Sequence, residues 1–237
     1  MIVAIDGPSG SGKSSIARTI AARCGLMYLD TGAMYRTVAL ACLECGVDPN
    51  DAEGCEAVAK DVQIRFESDG AGGQRVLLDG RDVTQAIRTP EVEHAVSPVS
   101  AHPAVREVMV SLQRAAAEGN DVVVEGRDIG TVVFPQAEVK VYLTASPAVR
   151  AHRRAVQRAG GNAAIDSNLS VDSQVEASIL ADIEARDAYD SGRETSPLCV
   201  APDAHLIDSS ELSFDEVVNQ LLSLSDELQA RSEGSKA

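Results

Sequence analysis

The chain has 237 residues, 44% of them hydrophobic, with 21 Lys and Arg against 36 Asp and Glu for a formal net charge of −15. This suffices for one sizeable α/β domain with an insert, whereas the acidic balance excludes broad binding along a nucleic-acid backbone, which takes a basic face. No apolar run is long enough to span a bilayer, "MIVAI" lacks the flanks of a signal peptide, and five cysteines suit a reduced compartment, so a cytoplasmic protein is expected.

In chain order, residues 2–5, "IVAI", read as a strand buried on both faces and ended by Asp-Gly-Pro. A helix follows over about 12–24, with Ile16, Ile20 and Cys24 on one face and Gly25 as its cap. "LMYLD" (26–30) is the next strand and "GAMYRTVALACLECG" the next helix, the alternation of a parallel sheet. From about residue 61 two period-2 segments flank a Gly-rich turn, which makes an antiparallel hairpin. Two helices follow, the second starting near Pro103 and stopped by Gly119, and 61–105 is expected to be a small α+β insert.

The parallel pattern resumes with "DVVVEGRD" (121–128) and "VKVYLTA" (139–145). Then come an arginine-rich helix over about 147–159 that ends at Gly160-Gly161, a helix over about 172–189, a strand "AHLID" (204–208) and a helix from Phe214 to about Gln229. The polar tail 231–237 is expected to be disordered. The expected core, 1–60 with 106–230, thus carries a five-stranded parallel sheet between helices, a three-layer α/β fold.

"GPSGSGKS", Gly7 to Ser14, fits G-x-x-x-x-G-K-[ST] and lies between a predicted strand and a predicted helix. Small residues let consecutive backbone N–H groups turn inward around phosphate oxygens, and the helix start adds free N–H groups and the positive end of its dipole. Lys13 can reach the β and γ phosphates and the Ser14 hydroxyl can ligate Mg²⁺. The expected ATP contacts are Gly7, Pro8, Ser9, Gly10, Ser11, Gly12, Lys13, Ser14 and Ser15.

A triphosphate loop leaves the reaction open between a phosphotransferase and a nucleotide-driven switch or binding protein. The guanine-reading N-K-x-D and the transporter signature L-S-G-G-Q are both absent, which weakens the switch. A kinase whose acceptor is itself a phosphate needs a second anion site to hold that acceptor in line. Among 17 arginines, against 4 lysines, Arg36, Arg106 and Arg127 fall where strands end or helices begin. Ligands of open α/β sheets sit beyond the carboxyl ends of the strands, so Arg127 and Asp128 should share a cleft with the loop at 7–14.

"IDGPSGSGKSS", "LDTGAMYR", "VREVMVSLQR", "VVVEGRDIGTVVFP", "VKVYLTAS", "RAHRR" and "ARDAYDSGRETSPL" together resemble the bacterial cytidylate kinases, P-loop nucleoside monophosphate kinases, in order from about residue 2 to about 220. "GRDIGTVVFP" and "DTGAMYR" are far more specific than the phosphate loop. The resemblance implies transfer of the γ-phosphate from ATP to CMP or dCMP with Mg²⁺, on a core with an NMP-binding insert and a helical lid, about 150–168. It implies that Thr31 and Arg36 hold the acceptor, with Arg36 on its phosphate, and that Ser97 and Arg106 meet base or phosphate from the insert. Arg127 and Asp128 would contact the acceptor phosphate and the cytosine amino group or sugar. Arg186, Asp190 and Arg193 would complete the pocket, with Asp190 near the sugar hydroxyls. A monomer acting on ATP and CMP or dCMP is expected; a UMP/CMP or other small-acceptor kinase is the alternative within the class.

Cytosine carries an N4 donor that uracil lacks, so a site built around it should prefer CMP over UMP. Arg150, Arg153, Arg154 and Arg158 lie at i, i+3, i+4 and i+8 on one side of a helix. Closing such a lid would bring guanidinium groups onto the transferring phosphoryl and exclude water. Arg153 and Arg154 are the expected catalytic pair, with Lys13 and Arg127. The family usually has aspartate where this chain has Glu125. Cys42 and Cys45 form C-x-x-C inside a predicted helix and are read as core residues, the four histidines are assigned no catalytic role, and "NLS" at Asn168 is read as a chance glycosylation match.

Overall fold

The run Ile2–Asp6 forms β1, whose residues from Val3 onward are buried. It is central in a five-stranded sheet ordered β2-β6-β1-β7-β8, where β2 is Met27–Asp30, β6 Val122–Gly126, β7 Val139–Thr144 and β8 His205–Asp208. β1 pairs in parallel with β6 on one side and β7 on the other, and β7 in parallel with β8. Strands covered on both faces need apolar residues throughout, which is why "IVAI" and "VVV" carry no alternation. The computed structural model of the chain describes residues 1–68, 74–161 and 169–234. The hairpin turn at 69–73, the last part of the expected lid (162–168, with Asn168) and the end of the tail (235–237) lie outside them.

The chain divides into two compact units, Met1–Leu29 with Asn120–Ala237 and Asp30–Gly119. In the first, α1 (Lys13–Cys24) turns Ile16, Ile20 and Cys24 onto Val3, Ile5, Val123 and Val141. The same core takes Val217, Val218 and Leu221 of α8 (Phe214–Leu222), which starts at a capping box between Ser213 and Glu216. α6 (Pro147–Arg158) packs on α7 (Ser173–Ser191) through Ala151, Ala155, Ile179 and Ile183, the two alanines permitting close approach.

The C-terminal end differs from expectation. Instead of one helix continuous to Gln229, the chain breaks after Leu222 and α9 (Asp226–Gly234) follows, so 231–234 are helical and not a disordered tail. Leu228 is fully buried in the main core. Arg231 donates to Glu227 at 2.7 Å and to Asp121 at 2.8 Å. One apolar anchor and one arginine thus tie down a stretch whose composition looks unstructured.

In the second unit, α2 (Thr31–Glu44) is capped by Asp30, whose carboxylate accepts from Ala33 N at 2.7 Å. α3 (Ala52–Asp61) has no counterpart in the sequence pattern; Asp51 caps it, accepting from Gly54 N at 3.1 Å, but only Cys55 and Ala59 are buried, too few for visible periodicity. β3 (Ile64–Ser68), β4 (Gln74–Leu78) and β5 (Arg81–Asp82) form an antiparallel sheet. α4 (Pro90–Val99) packs on α2, and α5 (Pro103–Ala117) on α3. The expected insert, 61–105, lies wholly within this wider unit, since α2, α3 and α5 share its packing. Among the described residues no helix is long and apolar enough to cross a membrane.

Candidate active site

The loop at 7–12 leaves β1 and enters α1. Gly7 has φ 147°, and a Cβ there would lie 2.0 Å from the Leu143 carbonyl oxygen of β7, so no side chain fits. Lys13 opens α1 and is buried. Its ammonium donates to Pro8 O at 2.7 Å and to Ser11 Oγ at 3.4 Å. Burial, and then the Arg127 guanidinium, push the Lys13 pKa well below its ordinary value, against the opposing pull of Glu125 and Asp6.

Because β6 lies beside β1 with Gly126 level with Asp6, the end of β6 meets the loop. The Ser14 hydroxyl donates to Glu125 Oε2 at 2.9 Å, and the Tyr28 hydroxyl of β2 donates to Glu125 Oε1. Glu125 is buried. Sequence reasoning misses Tyr28, since nothing in "LMYLD" shows which carboxylate its hydroxyl meets. Ser15 is half-buried in the first turn of α1.

Arg127 and Asp128 follow β6 and lead into a π-turn at Ile129–Val133. That turn is fixed by Asp6, a buried carboxylate that accepts from Ile129 N at 2.8 Å and Gly130 N at 2.7 Å. Burial nevertheless raises the Asp6 pKa to about 6, outweighing those two bonds. A carboxyl whose folded pKa exceeds its unfolded value holds its proton more tightly when folded, so this group costs stability once ionised. The cost grows as pH rises from about 4 through about 6 and reaches roughly 3 kcal/mol. Denaturant unfolding across pH 4–7 should therefore show wild type gaining on Asp6→Asn as pH falls; a pH-independent difference would refute this. The sequence does carry a signal for Asp6: it is the one charged residue at the end of an otherwise apolar central strand.

Across from this turn, Asp190 of α7 gathers three arginines. Arg127 Nε lies 3.1 Å and Arg186 Nε 3.9 Å from its Oδ2, and Arg193 pairs with Oδ1. Asp190 is 1% exposed. Burial pushes its pKa up, but Arg127, Arg193 and Arg186 outweigh that and hold it below the usual carboxylate range. Arg127 and Asp190 stand 63 positions apart in the chain, and the fold brings them together with Arg186 and Arg193 as the motifs lead one to expect. Arg127 and Arg186 are also among the charges Lys13 senses, so the loop lysine and the arginine cluster share one electrostatic field.

The arginine stripe of α6 is split. Arg150 is buried and bonded to Ser9, Ala145 and Asp187. Arg153 donates to Ser209 O at 2.7 Å and to Ser209 Oγ at 2.9 Å. Arg154 is half-buried and Arg158 exposed. Helical spacing places residues on one side but leaves open which of them meets packed backbone. In the second unit, Arg36 Nη2 lies 3.0 Å from Asp30 Oδ2. Arg106 is buried, donates to Ser100 O at 3.0 Å and lies 5.4 Å from the Tyr35 ring centroid. Thr31 is buried in the first turn of α2, and Ser97 half-buried on α4.

The family model for cytidylate kinase matches residues 3–227. The chain belongs to the cytidylate kinase family. A cytidylate kinase of Pelotomaculum thermopropionicum is 46% identical over 93% of each chain. Those of Mycobacterium leprae and Rhodococcus opacus are 48% and 49% identical over 94% of this chain and 95% and 93% of their own. A solved shikimate kinase from Acinetobacter baumannii, in complex with shikimate, aligns with 94% of this chain and 91% of its own at 15% identity and a TM-score of 0.40, too loose a likeness to carry an argument. The resemblance read from "DTGAMYR" and "GRDIGTVVFP" is thus borne out, and with it the class of nucleoside monophosphate kinase.

Of the C-x-x-C pair read as core residues, Cys42 is buried, as is Cys55, but Cys45 is exposed, because it caps the end of α2 beyond the packed face. Among the described residues no group of three or more His, Cys, Asp or Glu side chains could hold a metal ion.

Proposed function

We propose that the chain transfers the γ-phosphate of ATP to CMP or dCMP, giving ADP and CDP or dCDP. The observation that carries this reading is the buried Asp190 cluster. One carboxylate facing three guanidinium groups keeps a surplus of positive charge, the complement of an acceptor phosphate, within the field of the loop lysine. The acceptor arrives as an anion, so no general base is needed; positioning and charge stabilisation supply the rate.

Arg127, Arg186 and Arg193 hold the acceptor phosphate in this reading, and Asp128 accepts from the cytosine amino group. Roles for Thr31, Arg36, Ser97 and Arg106 as further acceptor contacts, and for Arg153 and Arg154 toward the transferring phosphoryl, rest on the resemblance.

The residues present suit Mg²⁺. Ser14 gives its hydroxyl proton to Glu125 and so keeps its oxygen lone pairs available beside a buried carboxylate, a hard oxygen donor set. When bound, the ion neutralises charge on the triphosphate oxygens; Ser14 and Glu125 would hold it. A monomer in the cytoplasm belongs to the same reading.

A coupled assay of ADP release across CMP, dCMP, UMP, AMP and shikimate tests it. CMP and dCMP should be used at least about tenfold better than UMP, because a site built for the N4 donor leaves groups unpaired when uracil enters. Equal use of UMP would remove the cytosine preference while sparing the kinase, and acceptor-independent hydrolysis would replace the kinase with a nucleotide-dependent binding protein.

A further inference from the structure

Arg150 sits in the basic stripe of α6, yet its side chain is 3% exposed and faces three acceptors on three elements. Nε donates to Ala145 O beyond β7 at 2.9 Å, Nη1 to Ser9 O in the phosphate loop at 3.0 Å, and Nη2 to Asp187 Oδ2 on α7 at 2.6 Å. The backbones meet as well. Gly10 has φ 78°, and a Cβ there would lie 3.1 Å from Arg150 Cβ and 3.2 Å from its carbonyl oxygen.

We propose that Arg150 is a positioning residue for the phosphate loop, held in that role by Asp187. A trans peptide points its C=O and the following N–H in opposite directions. Anchoring the Ser9 carbonyl on Arg150 therefore aims the Gly10 N–H the other way, into the concavity where phosphate oxygens are bound. A guanidinium suits this task, because its planar fork sends donors from three separate nitrogens toward Ala145, Ser9 and Asp187, whereas an ammonium carries all its donors on a single nitrogen and cannot span the three. Asp187 stands between Arg186 and Asp190 on the same helix, three residues from the carboxylate that gathers the acceptor arginines. The donor loop and the acceptor helix are thereby joined through one buried side chain.

The inference rests on the reading of residues 7–15 as the ATP loop, and titration calorimetry of the full chain separates the two. Parent, Asp187→Asn, Arg150→Lys and the double variant are titrated with ADP plus Mg²⁺ and, separately, with CMP. Asp187→Asn should weaken ADP about fivefold and Arg150→Lys about tenfold or more, each leaving CMP within about twofold. The double variant should bind ADP no more weakly than Arg150→Lys alone, because both act through one contact. Where Arg150→Lys fails to fold, Asp187→Asn, on a partly exposed side chain, carries the test. A parent that binds no ADP would remove the loop reading itself. Folded variants that melt lower but bind ADP like the parent would overturn the positioning role, and so would a loss confined to CMP.

Discussion

Lys13→Met is expected to lower kcat/KM about 10³-fold while leaving the melting temperature unchanged or raised. In the proposed role Lys13 is the one cationic side chain that the loop turns toward the donor phosphates, and a thioether of similar length removes the ammonium but keeps the stem. Its stability effect should be small or favourable because the cation is buried and destabilised by burial and by Arg127. Steady-state kinetics with ATP and CMP, paired with a thermal melt, check both halves. Turnover within tenfold of the parent would refute the assignment, and a collapse in stability would make the kinetic loss uninformative about charge.

Asp190→Ala is expected to raise KM for CMP about 100-fold and to leave KM for ATP within about threefold. Removing the carboxylate strands three guanidinium groups that it holds together, so the three arginines splay apart under their own repulsion. Asp190→Asn keeps the volume and the acceptor oxygen and serves as the better-folded control. An unchanged CMP KM in a folded variant would place Asp190 outside the acceptor pocket.

How much of the molecule is legible in its sequence depends on whether the cause is local. Central strands announce themselves as apolar runs, and helix ends by Pro103 and Gly119, because the physics of those features acts within a few residues. The short helix at 52–61 stays hidden because it buries only two side chains, and the helix through 231 because one leucine and the two ion pairs of Arg231 outweigh its polar composition. Within the site, "GPSGSGKS" and the "GRD" turn carry their chemistry in the letters. The partners that hold them do not. Asp6 meets Ile129 across 123 residues and Tyr28 meets Glu125 across 97, contacts created by strand order rather than spacing. Arg150 shows the same limit: i, i+3 and i+4 name a face, and only packing turns one of its arginines inward.

The tight fit of Gly7 against the Leu143 carbonyl bears on how the loop motif is to be used in judging relatives. That glycine answers to the backbone of a neighbouring strand, so a degenerate descendant that had abandoned catalysis but retained this sheet would still have to keep it. Its presence diagnoses architecture alone. A pseudoenzyme in this lineage would betray itself at position 13, where the lysine bonds within its own loop while burial works against its charge.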